Sequence, residues 1–181
     1  TEEISLNTVK AAQPALRVGM ELSYPPFEMT DTAGRPEGIS VVLAKSLGKY
    51  LGRPIIIENI AFDGLIPALR TGTIDCIISS MTSTPERAKA IAFSNPYLKT
   101  GLTLLVGRSS PILSPDDITK TGVRIAVKLG TSAHKYAAQQ LKDANVFVLD
   151  MESAAVLEVM QGKVDAFIYD SLSVYRHHTI H

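Results

Sequence analysis

The chain has 181 residues, 18 Lys+Arg against 18 Asp+Glu, 45% hydrophobic residues, one Cys and no Trp. Zero net charge excludes the basic field that a nucleic-acid or acidic-membrane partner needs. A single Cys excludes an internal disulfide, and no apolar run reaches the roughly 18 residues of a membrane helix.

Without staples the fold must stand on apolar burial, which a chain of this size can supply for one core or two small ones. The N-terminal TEEISLNTVKAAQ lacks the charged-then-apolar pattern of an export signal, so the protein is expected to be cytosolic or to have had its signal peptide removed. Leu16–Met20 reads as a strand, and the prolines of the following YPPF forbid both helix and central strand. Residues 30–38, dense in Gly, Pro and Asp, predict a hairpin tip. From Ile39 the apolar positions 39, 42, 43, 47, 50 and 51 predict the inward stripe of an amphipathic helix, stopped by Gly52 and Pro54. Ile55–Ile57 follows as a strand. Asp63 is expected to cap a short helix carrying Leu65, Ile66 and Leu69 and ending at Gly72, with Ile74–Ile78 the next strand.

Thr84, Pro85 and Glu86 form a clean helix start, with an N-cap, a first-turn proline and a first-turn acid. Gly101–Val106 is apolar and β-rich. The Ser/Pro-rich stretch 109–115 reads as the domain boundary of the chain, after which strand Val123–Val127, the loop KLGTS and helix His134–Leu141 restart the pattern. Strand alternating with helix implies parallel pairing with right-handed crossovers, hence an α/β layer fold.

The two halves echo each other. One helix ends at Gly72 and is followed by GTIDCIISS, placing Asp75 and Ser79-Ser80 at fixed offsets. Another, Ala154–Met160, ends at Gly162 and is followed by GKVDAFIYD, placing Asp165, Tyr169 and Asp170 at the same offsets about 90 residues on. Two similar lobes follow from such a repeat. In open α/β sheets ligands bind outside the carboxyl ends of the strands, so Ser79, Ser80, Tyr169 and Asp170 mark two halves of one cleft. Asp75 and Asp165 precede their strands and are read as structural.

Five ordered motifs, RVGMELSYPPFE, FDGLIPAL, IDCIISSMTSTPERAKAIAFSNPY, IAVKLGTS and GKVDAFIYD, carry a resemblance from about Leu16 to Asp170. They resemble the periplasmic solute-binding proteins of amino-acid ABC transporters, the polar amino-acid-binding group of bacterial extracellular solute-binding family 3. The resemblance implies a two-lobed α/β, type II periplasmic-binding architecture: lobe 1 at 1–100, a hinge strand at 101–108 and lobe 2 at 109–181. It implies a periplasmic or extracellular protein, lipid-anchored or free. Such a protein closes over a free amino acid by hinge motion and delivers it to a membrane permease, with no cofactor and no catalytic residue.

The chemistry of the residues agrees with that implication. A closed cleft must satisfy an amino acid's carboxylate, ammonium and side chain, because closure removes them from water. Arg87 offers a planar fork for the carboxylate; in the family pattern the matching arginine binds it, aided by the groups matching Thr82 and by the helix N-terminus at Gly130, Thr131 and Ser132, whose unpaired amides suit an anion. The alternative for Arg87 is a solvated helix residue paired with Glu86 or Asp63. Asp170 is the natural partner of the ammonium, with Ser80 and Thr82 as acceptors, and Ser79 stands beside them. The resemblance makes Tyr24 and Phe62 an aromatic sandwich around the carbon chain. Glu21 and Lys128 match positions lining the side-chain end; having both signs there points to a neutral polar ligand such as glutamine.

Two departures from the family stand out. The helix after the hairpin carries ISVVL where relatives carry acids. Relatives also continue well beyond the second aspartate, so the C-terminal portion of the architecture is expected to be missing, through truncation or through supply by a second copy of the chain. Three rival readings share the scaffold: a ligand-sensing receptor domain, a cyclohexadienyl dehydratase-like enzyme with Glu21 as its spare acid, and a non-binding remnant. His177, His178 and His181 lack the acidic or Cys companions of a metal site and read as a tail, and Cys76 reads as an inert core residue.

Overall fold

The computed structural model describes residues 13–180, so the N-terminal leader and His181 lie outside the described residues. Strand β1 (Leu16–Met20) forms where expected, and a two-stranded hairpin, β2 (Met29–Thr30) and β3 (Pro36–Glu37), flanks the predicted tip. Helix α1 (Ile39–Leu51) ends at Gly52, whose left-handed φ of 65° closes the last turn. Strand β4 (Ile55–Asn59), helix α2 (Leu65–Arg70) and the two-residue β5 (Cys76–Ile77) complete a three-stranded parallel sheet in the order β4-β1-β5. Helix α3 (Pro85–Ala88) starts as read, with the Thr84 hydroxyl accepting from the Arg87 amide.

The second sheet holds β6 (Leu102–Val106), β7 (Arg124–Lys128), β8 (Asn145–Leu149) and β9 (Ala166–Asp170) in the order β6-β9-β7-β8. All pairs are parallel except β6 with β9. Helices α4 (Ser132–Gln140), α5 (Glu152–Met160) and α6 (Ser171–Ile180) accompany it. Around β1, β4 and α1 the first core gathers Leu16, Val18, Met20, Val41 and Ala44. The second sheet carries a core on each face, one around Phe167 and Val159 and one around Ile125 and Ala137.

Four local readings need correction. The stripe Ile39, Val42, Leu43, Tyr50 and Leu51 faces outward, with Val42 63% and Tyr50 88% exposed, and α1 instead buries Ser40, Val41, Ala44 and Gly48. The reason is closeness: a Cβ on Gly48 would lie 2.4 Å from Ile55 Cγ1, so the helix seats its small residues against β4 and turns the large ones away. Asp63 caps nothing; it lies in a 3-10 turn, Phe62–Gly64, and α2 follows from Leu65 with Gly64 at its N-cap and no side-chain cap. Strand β5 is shorter than Ile74–Ile78 because the Asp75 carboxylate, not a backbone carbonyl, accepts the Arg17 amide at 2.8 Å. The stretch 109–115 does not separate the sheets. The strands before and after it, β6 and β7, both pair with β9, and Ser110 Oγ ties the stretch to the Asp165 carbonyl at 2.6 Å. The chain changes sheets earlier, between β5 and β6.

The repeat is visible in the architecture. Each parallel trio has the first strand of its half in the centre, and each centre carries an arginine bound to the aspartate that opens the third strand. Arg17 meets Asp75 at 2.9 Å, and Arg124 meets Asp165 at 2.6 Å.

Candidate functional site

Parallel strands in both sheets put their carboxyl ends on common edges, and polar residues following β1, β5, β7 and β9 converge there. Ten of the eleven ligand contacts expected from the sequence line one cleft, together with Tyr169, which the strand-end offsets also marked, and Glu28, which they did not. The eleventh, Lys128, reaches the cleft through an ion pair with Glu21.

Arg87 owes its place to the Thr84 cap, which starts α3 so that the guanidinium turns inward. It is 4% exposed, donates through Nη1 to the Thr82 carbonyl at 2.8 Å and through Nη2 to the Gly130 carbonyl at 2.9 Å, and stands 5.4 Å from the Phe62 ring centroid. The solvated alternative is therefore wrong: Glu86 pairs instead with Lys135 at 2.7 Å. Two of the five guanidinium N–H groups are used, which leaves others for an anion. Burial lowers the Arg87 pKa, while Glu86 and Asp170 act against that.

Across the cleft, Thr131 caps α4. Its hydroxyl accepts from the His134 amide at 3.3 Å and donates to the Lys128 carbonyl at 2.7 Å. Gly130 takes φ of 74°, and a Cβ there would lie 2.9 Å from Asp63 Cβ, so the turn requires glycine for both space and conformation. Lys128 is 2% exposed, with Nζ 6.0 Å from the Phe62 centroid. Ser79 Oγ accepts the Glu21 amide at 2.9 Å, which anchors the Glu21 backbone to the end of β5. Tyr24 stacks on Phe27 at 5.6 Å and meets Tyr169 edge-on at 6.0 Å.

Among the described residues, two carboxyls of the cleft, Asp170 and Glu28, are largely buried without an ion-pair partner. Burial, reinforced by Glu152 and opposed by Arg87, raises Asp170 to about 6. Burial likewise raises Glu28 to about 7, against the hydrogen bonds its Oε2 accepts from Ser40 Oγ at 2.5 Å and Ser80 Oγ at 3.1 Å. Ser80 itself holds a left-handed φ of 49°, uncommon for a residue other than glycine. Sequence reasoning missed Glu28. It is one residue past the YPPF turn, and no spacing in the sequence ties it to Ser40 or Ser80.

The tail histidines separate: His177 is buried against Glu152, His178 is exposed, and His181 lies outside the described residues. Among the described residues no three His, Cys, Asp or Glu side chains gather as a metal site, and no helix is long and apolar enough to cross a membrane.

A model of the bacterial extracellular solute-binding proteins, family 3, matches residues 16–153. The L-arginine-binding protein of Pseudomonas aeruginosa is 32% identical over 173 residues, covering 94% of this chain and 66% of its own. The chain spans about two thirds of the length of the curated relatives it matches. Among solved structures, the ancestral amino acid-binding protein AncCDT-1, described as a precursor of cyclohexadienyl dehydratase, superposes with a TM-score of 0.85 at 38% identity, covering 91% of this chain and 74% of its own. An ancestral arginine-binding protein bound to glutamine gives 0.83 at 34% identity, covering 91% and 73%. The mixed α/β fold is that of these binding proteins.

Proposed function

Because the chain belongs to the bacterial extracellular solute-binding proteins, family 3, we propose that it binds a free polar L-amino acid in the cleft and hands it to an ABC transporter permease outside the cytoplasmic membrane. One observation carries the reading: a buried guanidinium with unused N–H groups and a largely buried carboxyl without an ion-pair partner, Arg87 and Asp170, line the same cleft. These two groups are complementary to an α-carboxylate and an α-ammonium, which every free amino acid carries. The α4 N-terminus at Thr131 and Ser132 supplements Arg87, and Tyr24 and Phe62 cover the carbon chain.

In this reading the chain to residue 100 is one lobe and 109–181 the other, and 101–108, whose strand β6 lies on the β9 edge of the second sheet, joins them as the hinge through which the ligand biases closure. The ligand gains contacts to both lobes only when they close.

At the side-chain end the Glu21–Lys128 pair cancels its own charge, which favours a neutral polar ligand of the glutamine type. Glu28 favours a second reading. It is a carboxyl 1% exposed with no ion-pair partner among the described residues, and it would suit a cationic side chain. A thermal-shift screen of the twenty amino acids decides, since a ligand that binds only the folded state raises its apparent stability. Glutamine is expected to give the largest shift; a far larger shift with arginine or lysine transfers the assignment to the Glu28 reading, and no shift with any amino acid removes the function. The same cleft is read as non-catalytic, since Glu21, the acid a dehydratase would use, is tied to Lys128; turnover of prephenate or arogenate would reverse that.

A further inference from the structure

Behind the cleft, outside every residue used above to hold a ligand, lies a carboxyl with an unusual set of partners. Glu152 opens α5 with its side chain 5% exposed, and one oxygen, Oε1, gathers three residues of α6: Ser173 Oγ, His177 Nε2 at 2.6 Å and Arg176 Nη2 at 3.4 Å. Its other oxygen is buried without a hydrogen-bond partner among the described residues. An acid in the first turn of a helix is ordinary, because it faces the positive end of the helix dipole. Three bonds to a different helix are not explained that way.

The place of α6 gives those bonds a consequence. The helix begins at Ser171, directly after Asp170, so the direction of the Asp170 side chain follows from how β9 hands over to α6. The handover is fixed on one side by the Ser171 amide, which donates to the Gly101 carbonyl at 2.9 Å, and by the Thr100–Ser171 hydroxyl contact at 2.8 Å. On the other side it is fixed by the Glu152 cluster. Among the described residues no hydrogen bond orients the Asp170 carboxyl itself, which leaves this handover to aim it.

We infer that Glu152 is a positioning residue for Asp170: by holding Ser173, Arg176 and His177 it anchors α6 so that the Asp170 carboxyl faces the cleft. The electrostatics run the same way. Glu152 raises the proton affinity of Asp170, Tyr169 and Tyr24 alike, with Arg87 the opposing charge at Asp170 and Arg176 at Tyr24. Among the described residues, Glu152 of α5 and Arg87 of α3 are the charges that act on Asp170, and Asp170 in turn raises Tyr169 of β9 and Tyr24. Binding of an ammonium would then be coupled to loss of a proton from Asp170, so acid would release the ligand. That last step rests on the proposed amino-acid function; the positioning itself does not.

The test is a carbon-13 NMR titration of the Asp170 carboxyl in the ligand-free chain, wild type against Glu152→Gln, with calorimetric titration of L-glutamine and L-arginine at pH 8 and pH 5.5. The Asp170 midpoint is expected to fall by about half a unit or more in Glu152→Gln, since one full charge is removed nearby. For a bound amino acid, the pH 8 to pH 5.5 affinity ratio is expected to shrink in the variant. An unmoved Asp170 midpoint in a folded Glu152→Gln overturns the inference. Should that variant not fold, Glu152→Asp keeps the charge and withdraws the carboxyl from α6; a several-fold weaker affinity at pH 8, or for the free chain a changed Asp170 shift, is expected, and values identical to wild type overturn it. If neither amino acid binds the wild type, the function has failed while the NMR midpoint still decides the role of Glu152.

Discussion

The Arg87 guanidinium, which follows the first sheet in the chain, donates to the Gly130 carbonyl, which follows the central strand of the second, at 2.9 Å. One side chain thus ties the two halves together at the cleft where they would hold a ligand.

Replacing Arg87 therefore acts on fold and site together. Arg87→Ala leaves the Thr82 and Gly130 carbonyls without their donor and opens a void, which should cost about 1–3 kcal/mol. It should also abolish amino-acid binding. Urea denaturation and calorimetry on the same preparation check both; Arg87→Ala with wild-type affinity would mean that the carboxylate binds elsewhere.

Lys128 and Glu21 are coupled. Lys128→Met strands a carboxylate in a mostly buried site and should destabilise the chain by about 3–5 kcal/mol, whereas Glu21→Gln with Lys128→Met together should cost much less. A double-mutant cycle in urea measures the difference. If the two single costs simply add, the ion pair contributes nothing to the closed arrangement.

Glu28 and Asp170 both bind protons more tightly folded than unfolded, so folding favours their protonated forms. Their contribution is most favourable below the ordinary carboxylate range, and it is lost as pH rises through about 6 for Asp170 and about 7 for Glu28. In Glu28→Gln that loss should largely disappear, giving on the order of 2 kcal/mol more stability than wild type at pH 8 and little change at pH 4.5. Stability measured at the two pH values decides it; an equal effect at both would place the cause outside ionisation.

The repeated Arg–Asp pairs should differ in weight. Asp165 is more shielded than Asp75, with side-chain exposure of 11% against 29%. Asp165→Asn should therefore lower the thermal midpoint more than Asp75→Asn, and the reverse order would show that burial does not set the strength of these pairs.

Much of this molecule could be read from local pattern. Thr84-Pro85 started α3, Gly52 closed α1, and the matched GTID and GKVD runs marked two sheets with polar residues past their strand ends. Those features depend on chemistry within a few residues of each other: a capping hydroxyl, a glycine that accepts positive φ, an apolar period. The repeat extended that reach, because what one half does locally the other does again.

Pairings across the chain were of another kind. Nothing local revealed that α1 would press Ala44 and Gly48 on β4 and turn Tyr50 outward, that Asp63 would meet Gly130, or that Ser40 and Ser80 would share the Glu28 carboxyl. Packing decided these, since a helix with apolar residues on two faces takes the one that lets backbones approach. Likewise a carboxyl's proton affinity is set by neighbours that only folding brings near. The sequence by itself determined the elements, the duplicated α/β plan and the residue types at the cleft. The tertiary structure alone decided which charges are buried, which are paired and which, like Glu28 and Asp170, have no ion-pair partner among the described residues.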